Sequence, residues 1–215
     1  MLKVNKEDMA LYAVTDRSWL KSGETLAMQV ESAIKGGATF IQLREKNMAL
    51  DDFIEEGKVI KEITDRYKVP FVINDNIEVA IAVNADGVHI GQGDEELLAA
   101  RKRLGDNKII GISAHNAKEA IIAEKNGADY LGVGAVFSTS TKEDAETISH
   151  ETIKDISLSV NLPIVAIGGI SKDNILKLKG TGADGVAVIS AIFAKENIEE
   201  ASRELLKLSK EMSGK

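Results

Sequence analysis

The stretch GADYLGV at residues 127–133 decides the fold, because the chain contains four versions of this short pattern. Each version has Gly or Asn, then Ala, then a polar residue that leads into an apolar run. The four versions are GATFIQL (37–43), NADGVHI (84–90), GADYLGV (127–133) and GADGVAV (182–188). Glycine and asparagine tolerate the left-handed backbone that ends many helices. Each version is therefore predicted to end one helix and to begin the next strand.

The spacing of the four versions indicates the number of repeating units. They start 47, 43 and 55 residues apart, which is roughly two strand–helix units each. Further apolar runs begin between them, at Val69-Pro70 and at Leu162-Pro163. Eight units with an alternating signature favour a closed (β/α)8 TIM barrel of the α/β class. An open doubly wound sheet is the alternative, because strand–helix alternation alone fits it equally well.

The apolar runs and the helical periodicity give the predicted elements. The predicted strands are 11–15, 39–43, 70–73, 86–90, 108–112, 129–133, 163–167 and 184–188. The runs are short and almost continuously apolar, as in buried parallel strands. Helical periodicity covers 51–67, 94–104, 116–126, 149–160, 171–179 and 198–210. No linker separates a second domain, so we expect residues 1–215 to form one barrel domain, with 1–10 as an N-terminal extension.

The composition limits the classes of partner. The chain has a net charge of −7 and 4% aromatic residues without a local basic stripe, so nucleic acid is not an expected partner. Cysteine is absent, which excludes disulfides and cysteine nucleophiles. No apolar run approaches the roughly 20 residues that cross a bilayer, and MLKVNKEDMA (1–10) lacks the core of a secretory signal. We expect no membrane association, a cytoplasmic location, and either a monomer or a small homo-oligomer.

Polar residues follow the predicted strands, where a barrel places its active site. Asp75 and Asp94 follow the third and fourth strands. Because Mg²⁺ takes one or two carboxylates together with phosphate oxygens, the pair predicts a magnesium site. The alternative is that each aspartate caps the helix that follows it.

The segment QLREK (42–46) follows the second strand. Gln42, Arg44 and Lys46 are spaced by two, so in an extended segment they point the same way. Arginine offers a planar fork and lysine a point charge to diphosphate oxygens. The alternative is a solvated ladder of ion pairs with Glu45.

Two later segments also predict phosphate binding. In the long loop after the sixth strand, Thr139 and Thr141 offer hydroxyl groups and Lys142 a positive charge. Gly168-Gly169 lets a ligand approach the backbone closely, and Ser190 is expected to open a short helix after the eighth strand. The alternatives are a surface loop in the first case and a tight turn in the second.

The three histidines give a weaker signal. His89 lies within a predicted strand and His150 near a helix start, so both are expected to be structural. His115 follows Ser113 and is a candidate for the pocket. No spacing resembles a zinc site or a Ser/His/Asp triad.

Taken together, these motifs resemble the thiamin-phosphate synthase family, also called thiamin-phosphate pyrophosphorylase. The resemblance runs from LYAVTD (11–16) to GVAVISAI (185–192) and includes QLREK, IND, ADGVHIGQGD, GISAH, ADYLGVGAVFSTSTK and PIVAIGGI in that order. Two positions depart from the family pattern. Serines flank Thr139 where relatives often have proline, and Glu78 comes one place later than the usual acidic residue.

The resemblance implies an enzyme, a transferase of a pyrimidinylmethyl group. It would couple 4-amino-2-methyl-5-hydroxymethylpyrimidine diphosphate with a thiazole monophosphate and release diphosphate. The implied contacts to the pyrimidine diphosphate are Gln42, Leu43, Arg44, Glu45, Lys46, Asn74, Ser113 and Lys142. The implied contacts to the thiazole phosphate are Thr139, Ser140, Thr141, Gly168, Gly169, Ile189 and Ser190. Asp75 and Asp94 would hold Mg²⁺.

The implied chemistry is a dissociative substitution. Arg44, Lys46, Lys142 and Ser113 would act on the departing diphosphate together with Mg²⁺, the thiazole nitrogen would capture the cation, and no general base is needed. Two alternatives remain: a thiazole-phosphate tautomerase and a non-catalytic phosphate-ligand sensor on the same barrel. Each would need the phosphate loops but not the diphosphate cations and the pair of aspartates.

Overall fold

Eight parallel strands close into a barrel in the order of the chain, each paired with the next and the last with the first. The computed structural model describes residues 4–92, 94–138 and 147–215, and only the backbone of 94–96. The strands are β1 (Leu11–Val14), β2 (Phe40–Leu43), β3 (Phe71–Asn74), β4 (Gly87–Ile90), β5 (Ile109–Ala114), β6 (Tyr130–Val133), β7 (Ile164–Ile167) and β8 (Gly185–Val188). The predicted closed barrel is confirmed, and the open sheet is excluded.

Helices connect the strands on the outside of the barrel. They are α1 (Leu26–Lys35), α2 (Leu50–Tyr67), α3 (Ile77–Ala82), α4 (Asp94–Leu104), α5 (Ala117–Lys125), α6 (His150–Ser159), α7 (Ser190–Phe193) and α8 (Ile198–Ser213). Several begin at a side chain that accepts a hydrogen bond from the backbone N–H three residues later. These N-caps are Thr25, Asn76, Asn116, Ser149 and Asn197. Among the described residues, no helix has the length and apolar character needed to span a membrane.

One predicted helix is largely absent. Residues 171–179 were expected to be helical, but only a short 3-10 helix forms there, at Ile175–Leu178. The reason is local, because the Asn174 side chain accepts from the Ser171 N–H at 2.8 Å and donates to the Gly169 carbonyl at 2.9 Å. These bonds hold the first residues in a turn. In contrast, the periodicity did not single out α1 and α3, which both form.

Three of the four versions of the repeated pattern end an α-helix as predicted, whereas Gly182 lies beyond the 3-10 helix Ile175–Leu178 and ends no helix. Gly37, Asn84, Gly127 and Gly182 all have positive φ angles. In three of the four versions the next residue, alanine, donates its N–H to a carbonyl five residues earlier, which closes the helix end.

The polar third residue of each version explains why the signature alternates. Its side-chain oxygen accepts a hydrogen bond from a backbone N–H at the start of the preceding odd-numbered strand, from the first residue in β1, β3 and β7 and from the second in β5. The pairs are Thr39 with Leu11, Asp86 with Phe71, Asp129 with Ile110 and Asp184 with Ile164, at 2.8 to 3.0 Å. The bond ties the start of each even-numbered strand to its odd-numbered neighbour, so the pattern recurs at every second connection.

Side chains alternate between two cores along each strand. In β1, Tyr12 and Val14 belong to a small cluster inside the barrel, whereas Leu11 and Ala13 belong to the large cluster between strands and helices. The segment before β1 forms turns and adds Met9 to the interior cluster. The barrel is therefore filled at its amino-terminal end, and open space is left at the other end.

We predict that Asp184→Ala lowers the free energy of unfolding by about 1–3 kcal/mol, because it leaves the buried Ile164 N–H without its acceptor. Chemical denaturation measures the change. Asp184→Asn, which keeps an oxygen at this position, should lose less. Asp173→Ala, at an exposed site, is the matched control and should be near neutral. Equal stability of the Asp184→Ala and Asp173→Ala proteins would contradict the role given to the repeat.

Candidate active site

A cavity of about 1020 Å³ opens at the carboxyl ends of the strands. It brings together most of the residues that the sequence analysis singled out. These residues are Gln42, Arg44, Glu45, Lys46, Asn74, Asp75, Ser113, Gly168, Gly169, Ile189 and Ser190. Segments that follow the second, third, fifth, seventh and eighth strands therefore meet at one mouth, as the prediction required.

Some predicted residues lie elsewhere or outside the description. The side chain of Leu43 is fully buried in the cluster between strands and helices, so we withdraw it from the predicted ligand set. The reason is the strand period of two, which points Leu43 away from the barrel interior when Gln42 points into it. Thr139, Ser140, Thr141 and Lys142 lie outside the described residues, and so does the side chain of Asp94.

The two cations of the QLREK segment are not neutralised by the carboxylate between them. Neither Arg44 nor Lys46 forms an ion pair with any residue that the structure describes. Glu45 is paired instead with Arg17, whose Nε lies 3.0 Å from both carboxylate oxygens. The expected alternative, a ladder of ion pairs with Glu45, is therefore absent, and both positive charges remain available to an anion in the cavity.

Arg17 joins three elements behind this segment. It lies in the 3-10 helix after β1, and it binds Glu45 after β2 and Glu56 on α2. One guanidinium thus faces two carboxylates. Burial raises the pKa of Glu56; Arg17 opposes this change, and the nearby charge of Glu45 adds to it. The cluster holds the backbone of residues 44–46 against α2 at the edge of the cavity.

Asp75 is not a helix cap. The cap of α3 is its neighbour Asn76, whose side chain accepts from the Val79 N–H at 2.9 Å. Asp75 has a φ of 59°, and its exposed carboxylate receives one hydrogen bond, from the Asn74 amide at 2.7 Å. The alternative that Asp75 caps the following helix is thereby excluded. Its carboxylate is free to meet a ligand in the cavity.

The described residues supply part of the ligand set that a hard cation such as Mg²⁺ requires. Asp75 offers carboxylate oxygens in the same cavity as Arg44 and Lys46, which is the chemistry of a magnesium ion shared with a phosphate. No group of three or more His, Cys, Asp or Glu side chains suited to a metal occurs among the described residues. Mg²⁺ binds proteins through one or two carboxylates and completes its shell with phosphate and water, so a smaller protein donor set suffices.

Glycines let the loops after β6 and β7 pack closely at the opposite wall. Gly168 and Gly169 have φ angles of 104° and 61°. A Cβ atom at Gly169 would overlap the Ser138 carbonyl oxygen, and the Phe137 N–H donates to the Gly168 carbonyl at 3.0 Å. α7 begins at Ser190, as predicted, beside this glycine pair.

A chain of hydrogen bonds crosses the floor of the cavity. The Gln42 amide donates to the Tyr12 hydroxyl at 2.6 Å, and this hydroxyl lies 2.7 Å from that of Tyr130. The Tyr130 hydroxyl is 3.0 Å from His89 Nδ1, and His89 Nε2 is 3.2 Å from Ser113 Oγ. We refer to these five residues as the polar chain.

The tyrosines of the polar chain and His89 were not among the predicted site residues. Both phenol groups are buried, and burial raises the pKa of Tyr12 and of Tyr130. Both therefore keep their protons at neutral pH. The sequence carried one usable signal: Gly111 and Gly132 lie in β5 and β6, and a Cβ atom on them would meet the Tyr130 ring and His89 respectively. Glycine inside a strand often marks such a close approach.

The other histidines have local roles. His115 Nδ1 lies 3.0 Å from a Glu119 carboxylate oxygen at the start of α5, although His115 also borders the cavity. His150 packs edge-on against Phe137, with ring centroids 6.0 Å apart.

Comparisons with known proteins agree with the motifs. A family model described as thiamine monophosphate synthase matches residues 11–192. A thiamine-phosphate synthase from Clostridium acetobutylicum is 51% identical over 208 residues, which are 97% of this chain and 98% of that protein. One from Methanobrevibacter smithii is 45% identical over 204 residues, covering 95% and 97%. The solved structure of a thiamine phosphate pyrophosphorylase from Pyrococcus furiosus has a TM-score of 0.87 at 42% identity, covering 96% of this chain and 98% of that one.

Fold and cavity together define a (β/α)8-barrel enzyme with its polar groups at the carboxyl ends of the strands. The chain belongs to the thiamine monophosphate synthase family, as the motifs predicted, and it is accordingly a transferase.

We predict that Glu56→Gln gains stability relative to the unmodified protein as the pH rises. The pKa of Glu56 is higher in the folded state than its ordinary value of 4.5. Its stabilising contribution is therefore complete below that value and is lost as the pH rises through the folded pKa. Urea denaturation at a series of pH values, starting below 4.5 and rising, measures the difference in the free energy of unfolding between the two proteins. Glu55→Gln, at an exposed site on the same helix, is the control and should show no such trend. A constant difference for Glu56→Gln would contradict the electrostatic account.

We predict that Gly169→Ala destabilises the protein more than Gly23→Ala. Both residues have positive φ, so each alanine costs about 1–2 kcal/mol in the backbone. Gly23 has open space around it, whereas a Cβ atom at Gly169 overlaps the neighbouring loop. Thermal unfolding compares the two variants. Equal losses would show that the β6 loop does not depend on this glycine.

Proposed function

We propose that the protein couples 4-amino-2-methyl-5-hydroxymethylpyrimidine diphosphate with 4-methyl-5-(2-phosphoethyl)thiazole to give thiamin phosphate and diphosphate. With the carboxylated form of the thiazole, the carboxyl group leaves as carbon dioxide. The observation that carries this proposal is that Arg44 and Lys46, which form no ion pair with any described residue, line the same cavity as Asp75 and the Gly168-Gly169 turn. Cations suit a diphosphate, and the glycine turn with Ser190 suits a second phosphate. Two phosphorylated substrates therefore have separate ends of one cavity.

The reaction follows from the electronics of the pyrimidine substrate. Its reacting methylene is attached to an electron-rich aminopyrimidine ring, so the carbon–oxygen bond to the diphosphate can break first. The bonding electrons leave with the diphosphate, and the positive charge spreads over the ring. The thiazole nitrogen then donates its lone pair to the methylene carbon. Holding both substrates in one cavity removes much of the entropic cost of their encounter.

The chain's own residues act on the departing diphosphate. Arg44 and Lys46 stabilise the negative charge that grows as the bond breaks, which is the electrostatic form of catalysis. Lys142 and Ser113 are proposed to share this role. Asp75, together with Asp94, is proposed to hold Mg²⁺, and a bound Mg²⁺ supplies further neutralisation of the phosphate oxygens. No residue has to remove a proton from either substrate in this scheme.

The thiazole phosphate is proposed to occupy the wall formed by the loops after β7 and β8. Gly168 and Gly169 admit the phosphate close to the backbone, and Ser190 and Ile189 border the same space. Thr139, Ser140 and Thr141 are proposed to complete this end. The two alternatives, a tautomerase and a phosphate sensor, give no use to Arg44 and Lys46 in the same cavity as Asp75. The proposed setting is cytoplasmic.

The test is to mix both substrates with the protein and Mg²⁺ and to assay thiamin phosphate by fluorescence after oxidation. We predict turnover that a chelator abolishes and added Mg²⁺ restores. Lys46→Ala should lower kcat by about 100-fold, because it removes a charge that acts on the leaving group.

Lys61→Ala, whose ammonium group pairs with carboxylates on the outside of the barrel, is the matched control and should keep its activity. Binding of both substrates without any product would favour the sensor. Full activity with chelator present would show that the reaction does not need Mg²⁺. Arg44 and Lys46 would then remain as the groups that act on the diphosphate.

A further inference from the structure

We infer that the polar chain runs in one direction, from the Gln42 amide to the Ser113 hydroxyl, and that it thereby sets which end of the pyrimidine pocket donates and which accepts. Tyr12, Tyr130 and His89 are on this account positioning residues: they act through Gln42 and Ser113 and need not touch the substrate. The inference rests on the proposed function, because the phosphate near Ser113 decides between the two possible directions of the chain. Once the Gln42 amide is oriented with its nitrogen toward Tyr12, every later bond follows from the protein alone.

The direction follows from counting protons at Tyr12. The Tyr12 oxygen accepts from the Gln42 amide, so its own proton needs a different acceptor. Within the described part of the chain, the hydroxyl's one other partner is Tyr130. Tyr12 must therefore donate to Tyr130. If Tyr130 donated to Tyr12 instead, the Tyr12 proton would be buried without an acceptor, which costs about 1–3 kcal/mol.

The same count continues to His89. Tyr130 accepts from Tyr12, so its proton goes to His89 Nδ1, at 3.0 Å. Nδ1 must then be unprotonated, and the neutral imidazole carries its proton on Nε2. Nε2 donates to Ser113 Oγ at 3.2 Å. Because the Ser113 oxygen accepts this bond, its own proton remains for a ligand in the cavity.

The two ends of the polar chain thus face the cavity with opposite polarity. Gln42 commits an N–H to Tyr12, and its carbonyl oxygen has no hydrogen-bond partner in the described part of the chain. Ser113 presents a proton. A ligand that donates therefore finds an acceptor in the Gln42 carbonyl oxygen, and a ligand that accepts finds a donor in the Ser113 hydroxyl. The proposed substrate does both, because its exocyclic amine donates and its diphosphate accepts.

The opposite direction is the competing arrangement. Rotating the Gln42 amide by half a turn would make its oxygen accept from Tyr12, and every later bond would reverse. Ser113 would then donate to His89 and would offer only lone pairs to the cavity. That arrangement places an acceptor beside a phosphate in a cavity whose cations attract anions. The forward direction avoids this conflict.

Packing keeps the polar chain in register. Tyr12 and Tyr130 are fully buried, and Phe40 packs against both rings, with centroids 4.6 and 5.5 Å away. Gly111 leaves the space that the Tyr130 ring occupies, since a Cβ atom there would overlap the ring. The hydroxyl groups therefore have little freedom to seek other partners.

The direct test is the tautomer of His89 in the free protein. Long-range proton–nitrogen NMR on protein labelled with ¹⁵N-histidine distinguishes the two neutral tautomers and the imidazolium. The chain has three histidines, so His115→Gln and His150→Gln assign the signals. We expect a single neutral Nε2–H tautomer for His89. A neutral Nδ1–H tautomer, an imidazolium, or averaging between forms would overturn the inference.

The functional test breaks the polar chain in the middle. Tyr130→Phe removes the hydroxyl that links Tyr12 to His89 and keeps the ring. We expect His89 to lose its single tautomer and kcat/KM for the pyrimidine diphosphate to fall about tenfold. The KM for the thiazole phosphate should not change, because that ligand is proposed to bind at the opposite wall. A general loss of structure would lower the concentration of active enzyme, so that the apparent kcat would fall with neither KM raised, whereas misorientation of the pyrimidine diphosphate raises the KM for that substrate.

The matched control is Tyr67→Phe, which removes a hydroxyl that donates to Glu31 at 2.9 Å on the outside of the barrel. It should behave as the unmodified protein does. Activity of Tyr130→Phe equal to that of Tyr67→Phe would overturn the positioning role. If Tyr130→Phe does not fold, Tyr12→Phe interrupts the same chain one link earlier and takes its place.

Failure of this inference is distinguishable from failure of the proposed function. If the unmodified protein forms no thiamin phosphate, the proposed function fails, and the His89 tautomer still decides the direction of the polar chain. If the protein is active and His89 carries its proton on Nδ1, the function stands and the inferred direction is wrong.

Discussion

The parallel pairing of β8 with β1 is the interaction on which the rest of the structure depends. It places Tyr12 beside Ala187 and closes the sheet, so that no strand has a free edge. Because all strands run the same way, closure brings every carboxyl end to one mouth. Lys46 and Ser190 therefore border one cavity although most of the chain separates them. The chemistry proposed for this enzyme exists only while that ring is closed.

Inside the ring, the boundary between packed core and cavity is made of aromatic and polar groups. The rings of Tyr12, Phe40 and Tyr130 fill the barrel below, and the hydroxyl groups of the two tyrosines lie at the cavity floor. Buried polar groups of this kind are costly unless each has a partner. The polar chain satisfies them in series, so a single set of bonds both seals the core and orients the two side chains at its ends. Stability and ligand orientation are here carried by the same atoms.

The sequence predicted the barrel well because several independent features agreed. These are the four copies of the repeated pattern, the eight apolar runs, and the polar segment that follows most of those runs. It predicted the convergence of Arg44, Asp75 and Ser190 from topology alone. It could not reveal the roles of Tyr12 and Tyr130, because buried parallel strands are apolar on both faces and give no period-two pattern. Such strands hide which residues point inward. Leu43 entered the predicted ligand set only through the resemblance, and the period of two places it on the face of β2 opposite to Gln42.

Positive φ angles outside glycine occur in this structure in two settings, at helix ends and at a carboxylate that faces the cavity. Among the described residues, three that are not glycine have positive φ: Lys68, Asp75 and Asn84. Lys68 and Asn84 end helices, where this conformation closes the last turn. Asp75 ends a strand, and Asn76 already caps the following helix, so neither element needs the strained residue. Strain without a structural use, on a carboxylate that faces the cavity, is characteristic of a functional position. The division of labour between Asp75 and Asn76 is therefore the strongest local argument that this carboxylate serves a ligand.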